Sequence, residues 1–221
     1  MDALNEAIWN YVVHDISLRR ALHKVALPSN GLQTLTFEST FNQPIESVAL
    51  PSSLKSLQIE FDCNLEFVTL PSSLQNLTLG HVYAHSLENV ALPSSLINLT
   101  FGDRFNQSME KVALPIGLQN LTFGLEFDHP MEKVALPNGL QNLTFGERFD
   151  QPMEKVALPS GLQNITFGCL FQCPLEKVAW PSSLQTLTAP TWCNLALPST
   201  VVVRYVHPNP WHFRLEICSC V

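Results

Sequence analysis

The stretch Met109–Pro130, MEKVALPIGLQNLTFGLEFDHP, recurs along the chain in varied form, and its anchor is the pair Leu114-Pro115. The Leu-Pro pairs, and the Trp-Pro pair that replaces one of them, begin at Leu27, Leu50, Leu70, Leu92, Leu114, Leu136, Leu158, Trp180 and Leu197. The steps from Leu70 to Trp180 are equal, whereas the first two steps and the last one differ from them. A regular middle with irregular ends is typical of a capped solenoid, in which each repeat packs only on its neighbours.

Each 22-residue unit contains one apolar spacing twice. The spacing is apolar-x-x-apolar-x-apolar, formed by Met109, Val112 and Leu114 and again by Leu118, Leu121 and Phe123. Its last step has the period of two that is typical of a strand with one buried face. We therefore predict two short parallel strands in each coil. A corner follows the second strand, where Gly124 suits a positive φ.

An aromatic residue returns at one position of each unit, as in FNQPI at residues 41–45 and FDHPM at residues 127–131. The column consists of Phe41, Phe61, Tyr83, Phe105, Phe127, Phe149 and Phe171. Since parallel strands stack about 4.8 Å apart, we expect these rings to pile up inside the solenoid. The Asn or Asp that follows is expected to satisfy backbone groups of the corner. A metal site is not predicted there, because Asn106 takes the place of Asp128 and Asp150 in another coil.

The segments LPSSLQNLTLG, LPIGLQNLTFG and FNQPI together resemble the FNIP repeat, a variant of about 22 residues within the leucine-rich-repeat group. The resemblance covers residues 22–198. It implies a solenoid that binds other proteins, and it implies no catalytic residue. Three departures from the pattern stand out. Glu38 and Glu60 replace the corner glycine, the second coil is two residues short, and HVYAHSL at residues 81–87 replaces the Phe-Asn phrase.

These patterns divide the chain into a mainly-β repeat solenoid of about eight coils at residues 22–198, with a cap at each end. Residues 1–21 are predicted to form a helical N-terminal cap, because apolar residues between Leu4 and Val12 have helical spacing and make one stripe. Residues 199–221 are predicted to close the other end, where Val201, Val203 and Tyr205 alternate as in a final strand.

Composition excludes several classes of protein. The chain has 221 residues, of which 46% are hydrophobic, and this is too apolar for a disordered chain. With 12 Lys and Arg residues and a net charge of −7, it lacks the basic surface that binds nucleic acid or an anionic membrane. The sequence shows no apolar run of about 18 residues and no secretory signal, so we expect no membrane insertion. We also expect a cytoplasmic location with reduced cysteines.

The predicted function is that of a non-enzymatic protein-interaction scaffold. The strand faces repeat the same Gln-Asn-Thr and Glu-Lys groups in successive coils, whereas the two residues after each corner glycine vary. An irregular partner needs a surface that differs from coil to coil, so these loop residues are the predicted binding site. Their polar members are Asp103, Arg104, Glu126, Glu147 and Arg148.

Other interpretations are open at this level. The uniform Gln-Asn-Thr face suits a periodic target such as a polysaccharide or ice, and the strand edges at the solenoid ends would support self-association. An enzyme is not predicted, because the sequence shows no nucleophile–base pair, phosphate loop or pair of functional carboxylates. No cofactor and no metal site are expected.

Overall fold

A computed structural model of the chain describes residues 15–18, 27–28, 31–41, 44–193, 197 and 200–206. In these residues one sheet contains ten strands, and each strand pairs in parallel with the next along the chain. The strands are β1 Asp15–Leu18, β2 Thr34–Phe37, β3 Ser56–Ile59, β4 Asn76–Leu79, β5 Asn98–Phe101, β6 Asn120–Thr122, β7 Asn142–Thr144, β8 Asn164–Thr166, β9 Thr186–Pro190 and β10 Val202–Val206. A 3₁₀ turn at Ile45–Ser47 is the one helical element of the described part.

The strand spacing confirms a parallel β-solenoid whose coils have the predicted length. Successive strands from β2 to β9 begin at a constant spacing, except that the step from Ser56 to Asn76 is two residues shorter than the others. The register aligns equivalent residues, so that Asn98 pairs with Asn120 and Leu99 with Leu121. Strands β2 to β9 are eight in number and span seven intervals, which makes about seven turns where about eight coils were predicted.

Each coil contains one strand, so the prediction of two strands is wrong. Met109 and Val112, from the first apolar spacing, are buried as expected, since they are at most 4% exposed. However, the Val112 N–H donates to the Met109 carbonyl, and the Leu114 N–H donates to the Val112 carbonyl, both at 3.1 Å. These bonds lie within one coil and form turns, so they build no ladder to the neighbouring coil. The apolar spacing predicted which side chains are buried, and it did not specify how the backbone is hydrogen-bonded.

The ends of the sheet correct one prediction and confirm another. Residues Asp15–Leu18 form β1, which pairs with β2 from Asp15 and Thr34 onward, so the predicted helical cap over residues 1–21 is wrong for this segment. Its other residues lie outside the described part. The apolar stripe that predicted the helix ends at Val12, and a strand at residues 15–18 satisfies the open edge of β2. At the other end β10 pairs with β9 as a final strand, as predicted, and residues 207–221 lie outside the described part.

Two columns of stacked aromatic rings fill the interior. The predicted corner column is confirmed from Tyr83 onward: Phe105, Phe127 and Phe149 are fully buried, and their successive ring centroids are 6.0 Å apart, whereas Phe61 is only half-buried. The strand ends add a second column, made of Phe101, Phe123, Phe145 and Phe167. Within one coil the centroids of Phe123 and Phe127 are 3.8 Å apart. The inner rings Phe123, Phe127 and Phe145 therefore contact rings in their own coil and in both neighbouring coils, and these contacts stabilise the stack.

Tyr83 takes the place of phenylalanine in the corner column, and this substitution has a cost. Its side chain is fully buried, and its hydroxyl group has no hydrogen-bond partner among the described residues. We expect Tyr83→Phe to raise the free energy of unfolding by about 1 kcal/mol, because a buried, unpaired hydroxyl group costs about 1–3 kcal/mol. Urea unfolding measures the change. Tyr205→Phe is the control and should have no effect, since Tyr205 is 54% exposed. A less stable Tyr83→Phe variant would contradict this explanation.

The corner glycines are required by close packing between coils. The expectation of a positive φ at Gly124 is wrong, because among the described glycines only Gly31 has one, at 89°. A Cβ atom at Gly124 would overlap the carbonyl oxygen of Gly102 and would lie 2.7 Å from the backbone nitrogen of Asp103. The same overlap recurs at Gly102, Gly146 and Gly168, each against the glycine of the preceding coil. This glycine column lets the backbones of successive coils touch.

Candidate interaction surface

The five residues predicted to bind a partner lie on one continuous strip of turns. Each turn leads from a strand end to the buried corner ring, as where the Phe105 N–H donates to the Gly102 carbonyl at 3.3 Å across Asp103 and Arg104. We call residues 81–82, 103–104, 125–126, 147–148 and 169–170 the loop ridge. Its position follows from the glycine column, because each turn begins where two coil backbones touch.

A backbone ladder holds the loop ridge in register. From Arg104 onward, the second residue of each pair donates its N–H to the carbonyl of the first residue in the preceding coil. The bonds are Arg104 to His81 at 3.0 Å, Glu126 to Asp103 at 2.8 Å, Arg148 to Leu125 at 3.0 Å and Leu170 to Glu147 at 3.3 Å. Because the backbone is the same in each coil, the coils differ at this ridge mainly in their side chains.

The side chains of the loop ridge present an irregular pattern of charge to solvent. Glu126 is half-buried, and the other four predicted residues are exposed. The His81 Nδ1 atom lies 3.6 Å from the Asp103 carboxylate. The ion pairs observed among the described residues include neither Arg104 nor Arg148. Both guanidinium groups are therefore free of ion pairs in this part of the chain and can form paired hydrogen bonds with carboxylates of a partner.

The Asn or Asp residues after the corner rings satisfy backbone groups of the next coil, as predicted. The Asp128 N–H donates to the Asn106 side-chain oxygen, and the Asp150 N–H donates to the Asp128 carboxylate, both at 3.0 Å. The Asp150 carboxylate accepts the N–H groups of Gln172 and Cys173 at 2.7 and 2.9 Å. Within the described residues no group of three His, Cys, Asp or Glu side chains is arranged to hold a metal ion.

The outward face of the sheet is occupied by an asparagine ladder. Each side-chain amide donates from Nδ2 to the Oδ1 atom of the asparagine in the preceding coil, for Asn98, Asn120, Asn142 and Asn164. The asparagines of this ladder are half-buried. Because their amide groups bind one another, they have less capacity to bind an external periodic ligand, and the ladder gives the polysaccharide or ice interpretation no support.

A third polar column joins the coils by surface ion pairs. The Lys111 Nζ atom lies 2.8 Å from the Glu88 carboxylate, and Lys133 lies 3.2 Å from Glu110. The hydrogen bond to Glu88, together with its charge, raises the pKa of Lys111. Exposed pairs of this kind contribute little stability. Their repetition means that this column offers a partner the same groups in successive coils.

Comparison with known proteins agrees with this geometry. The sequence model of the FNIP repeat matches residues 20–62, 61–104, 83–126, 105–148, 127–170 and 149–188. The chain belongs to the FNIP-repeat family. Its FNIP coils are also similar to a crystal structure of CroV588, described as a novel circular LRR protein structure, with a TM-score of 0.74 and 35% identity. The similarity covers 84% of this chain and 28% of that one, so the FNIP chain spans less than a third of its length. No curated protein is similar enough to count as a relative.

One FNIP coil, next to the first pair of the loop ridge, has no ridge pair, and no site was predicted there from the sequence. In this coil Phe61 follows Ile59 after a single residue, whereas Phe105 follows Phe101 after three residues. The two missing residues are the ridge pair itself. A cleft of about 640 Å³ opens at this place, between Ser39 of one neighbouring coil and His81 of the other.

A second cleft, of about 630 Å³, lies against the same coil, and Phe61 and Asp62 line both clefts. We call the two clefts together the notch. Their shared coil has Glu60 in place of the corner glycine, and the Glu60 carboxylate lies over Gly80 of the next coil. The shortened step and the Glu-for-Gly exchange were visible in the sequence. In the sequence alone they are departures from the repeat pattern and indicate no site.

The cysteine thiols of the described FNIP coils are poorly suited to nucleophilic chemistry. Burial raises the pKa of Cys63 to about 12. Burial and a hydrogen bond with Asp150 raise the pKa of Cys173 to about 11. A reactive cysteine needs a lowered pKa, since the thiolate is the nucleophile. The described part also contains no helix with the length and hydropathy needed to cross a bilayer.

Proposed function

We propose that this FNIP-repeat chain is a non-enzymatic interaction scaffold that binds a protein partner through the loop ridge. One observation carries the proposal: the ridge combines a hydrogen-bonded, regular backbone with exposed charges that change from coil to coil. The asparagine ladder and the Glu-Lys column lack this combination, because they repeat. The free thiols of Cys63, Cys169, Cys173 and Cys193 suit a reducing compartment such as the cytoplasm.

The order of charges along the loop ridge sets the register of a bound partner. The second residues of three successive pairs are Arg104, Glu126 and Arg148. Because neighbouring coils are about 4.8 Å apart, the two arginines are separated by about 10 Å, with a carboxylate between them. A partner with two carboxylates that flank a cation matches this order. A shift by one coil would bring its carboxylate onto Glu126, and such like-charge contacts cost affinity and exclude wrong arrangements.

A charge-reversal experiment tests the ridge. A partner is first captured with the wild-type protein and identified, and its affinity is then measured for Arg104→Glu combined with Arg148→Glu. We expect at least a 100-fold loss, on the order of that for two disrupted interface anchors. The matched control is Lys155→Glu combined with Lys177→Glu, which changes the net charge equally on the exposed Glu-Lys column. The control affinity should stay within about threefold of wild type.

Two results would contradict the proposal. Equal losses in both double variants would show that only the overall charge matters. Unchanged binding of the ridge variant, with loss on replacing Gln141, Asn142 and Thr144 by alanine, would place the contact on the strand face.

A further inference from the structure

We propose that the notch anchors the partner by taking up a lysine or arginine side chain that stands next to an apolar residue in the partner's sequence. This inference rests on the proposed scaffold function and deepens it, because it assigns a chemistry to one segment of the protein partner. The site is the place where one coil lacks its ridge pair.

Phe61 lines both clefts of the notch. This ring is only half-buried, unlike the fully buried Phe105 and Phe127 of the regular coils. Its centroid lies 5.1 Å from that of Phe41 and 6.2 Å from that of Phe37, so the ring is held from behind by the core. The remaining surface of Phe61 therefore offers an apolar face in a fixed position to both clefts.

The rim of one cleft carries Phe67, whose exposure is not explained by the fold. It is 74% exposed and lines the cleft together with Phe41 and Ile45. Other coils have polar residues at this position, namely Asn89, Lys111, Lys133, Lys155 and Lys177. An exposed phenylalanine contributes little to folding and suits contact with a partner. Together with Phe61 it can pack against the hydrocarbon part of a long side chain, or against the neighbouring apolar residue.

The charge of the notch selects a cation. Glu60 and Asp62 line one cleft, and Glu46 and Asp62 line the other. The nearby bases are histidines: His81 lines the first cleft, and His85 lies 3.2 Å from the Asp62 carboxylate. No lysine or arginine of the described residues lines either cleft. A lysine or arginine side chain can therefore place its stem on the aromatic faces and its charged group among the carboxylates.

The notch is continuous with the loop ridge. His81 and Val82 form one wall of the notch, and they are also the first pair of the ridge. A segment that follows the ridge thus reaches the notch without changing direction. Since the regular coils resemble one another, an anchor at the interrupted coil would define which coil each partner residue meets.

The test uses a library of random 12-residue peptides displayed on phage, selected on the full chain. Enriched peptides are synthesised, and their dissociation constants are measured by fluorescence anisotropy. We expect lysine or arginine next to an aromatic or aliphatic residue in the enriched sequences. Affinity should fall at least tenfold for Phe67→Ser and for Glu46→Gln. The control is Ile116→Ser, which removes another exposed apolar side chain, 81% exposed, and should leave the affinity unchanged.

A second variant fills the notch. Glu60 is replaced by the three residues Gly-Glu-Arg, which restores the spacing seen in FGERF at residues 145–149. This variant should fold, as checked by circular dichroism and thermal unfolding, and should lose the peptides completely. The proposal is overturned by enriched peptides without a cationic residue, by peptides that bind the filled variant as well as wild type, or by a lack of any enrichment. The ridge variant with Arg104→Glu and Arg148→Glu tests the scaffold function separately, because it leaves the notch intact.

Discussion

Replacing Phe127 by alanine is expected to lower the free energy of unfolding by about 3–5 kcal/mol, the usual cost of truncating a buried phenylalanine. The ring is fully buried, 3.8 Å from Phe123 in its own coil and 6.0 Å from both Phe105 and Phe149 between centroids. The surrounding coils are held by backbone ladders on either side of the ring. Because these coils cannot collapse into the space left by the ring, the cavity persists and the loss of unfolding free energy lies in this range.

Equilibrium unfolding in urea measures this loss, and Ile116→Ala in the same repeat is the matched control. Ile116 is 81% exposed, so its truncation should change the free energy of unfolding by no more than about 0.5 kcal/mol. Equal effects of the two substitutions would contradict the inward position of the corner column.

Gly124→Ala should lower the free energy of unfolding by about 3 kcal/mol, although it adds only one methyl group. That methyl group would overlap the Gly102 carbonyl oxygen, and it would meet backbone atoms, which cannot rotate away as a side chain can. The two coils would have to separate, and this would strain the ridge ladder between Glu126 and Asp103. Overpacking of this kind costs about 1–3 kcal/mol, and the backbone contact puts Gly124 at the upper end.

Gly117→Ser tests whether the loss of stability is specific to the glycine column. At the equivalent position of the preceding coil, the Ser95 hydroxyl group donates to the Leu74 carbonyl at 2.6 Å. Serine thus fits this turn, and we expect Gly117→Ser to lie within about 1 kcal/mol of wild type. If thermal unfolding showed the same loss of stability for Gly117→Ser and Gly124→Ala, close packing between corner glycines would not explain the effect of Gly124→Ala.

The period of the solenoid and most of its core could be predicted from the sequence, because the same residue type returns at the same position many times. The burial of Phe127 is an example, since six other aromatic residues occupy its column. Hydrogen bonding could not be predicted in this way. Val112 is buried as its spacing indicates, yet its N–H bonds within its own coil. An apolar pattern records where side chains lie, and both a strand and a series of turns satisfy it.

The candidate site was predictable only in part. The loop ridge was predicted as a binding surface from its variation, and its role in binding stays a prediction; the structure brings its five polar residues onto one strip of three successive coils. The notch was not predicted, because the sequence shows which residues one coil lacks and does not show that a cleft opens in their place. Gly124 shows the same limit. A positive φ and a close backbone approach both exclude a Cβ atom, and only the position of the Gly102 oxygen separates the two causes.

We expect the break in the columns to divide the described coils into two blocks of unequal stability. The glycine column begins at Gly80, and the strand-end phenylalanine column is continuous only from Phe101 onward. In a linear array, stability is close to a sum of coil terms and nearest-neighbour interfaces. The interface between the two blocks lacks the continuous glycine and phenylalanine columns, so it contributes less stabilising free energy than the interfaces between the regular coils. We therefore expect β2 and β3 to open at a lower free energy than β5 to β8. Native-state amide hydrogen exchange would report this as two levels of protection.

The notch lies in the block that opens first, so a bound partner would raise protection mainly there, and recognition would then be coupled to the local folding of the first coils.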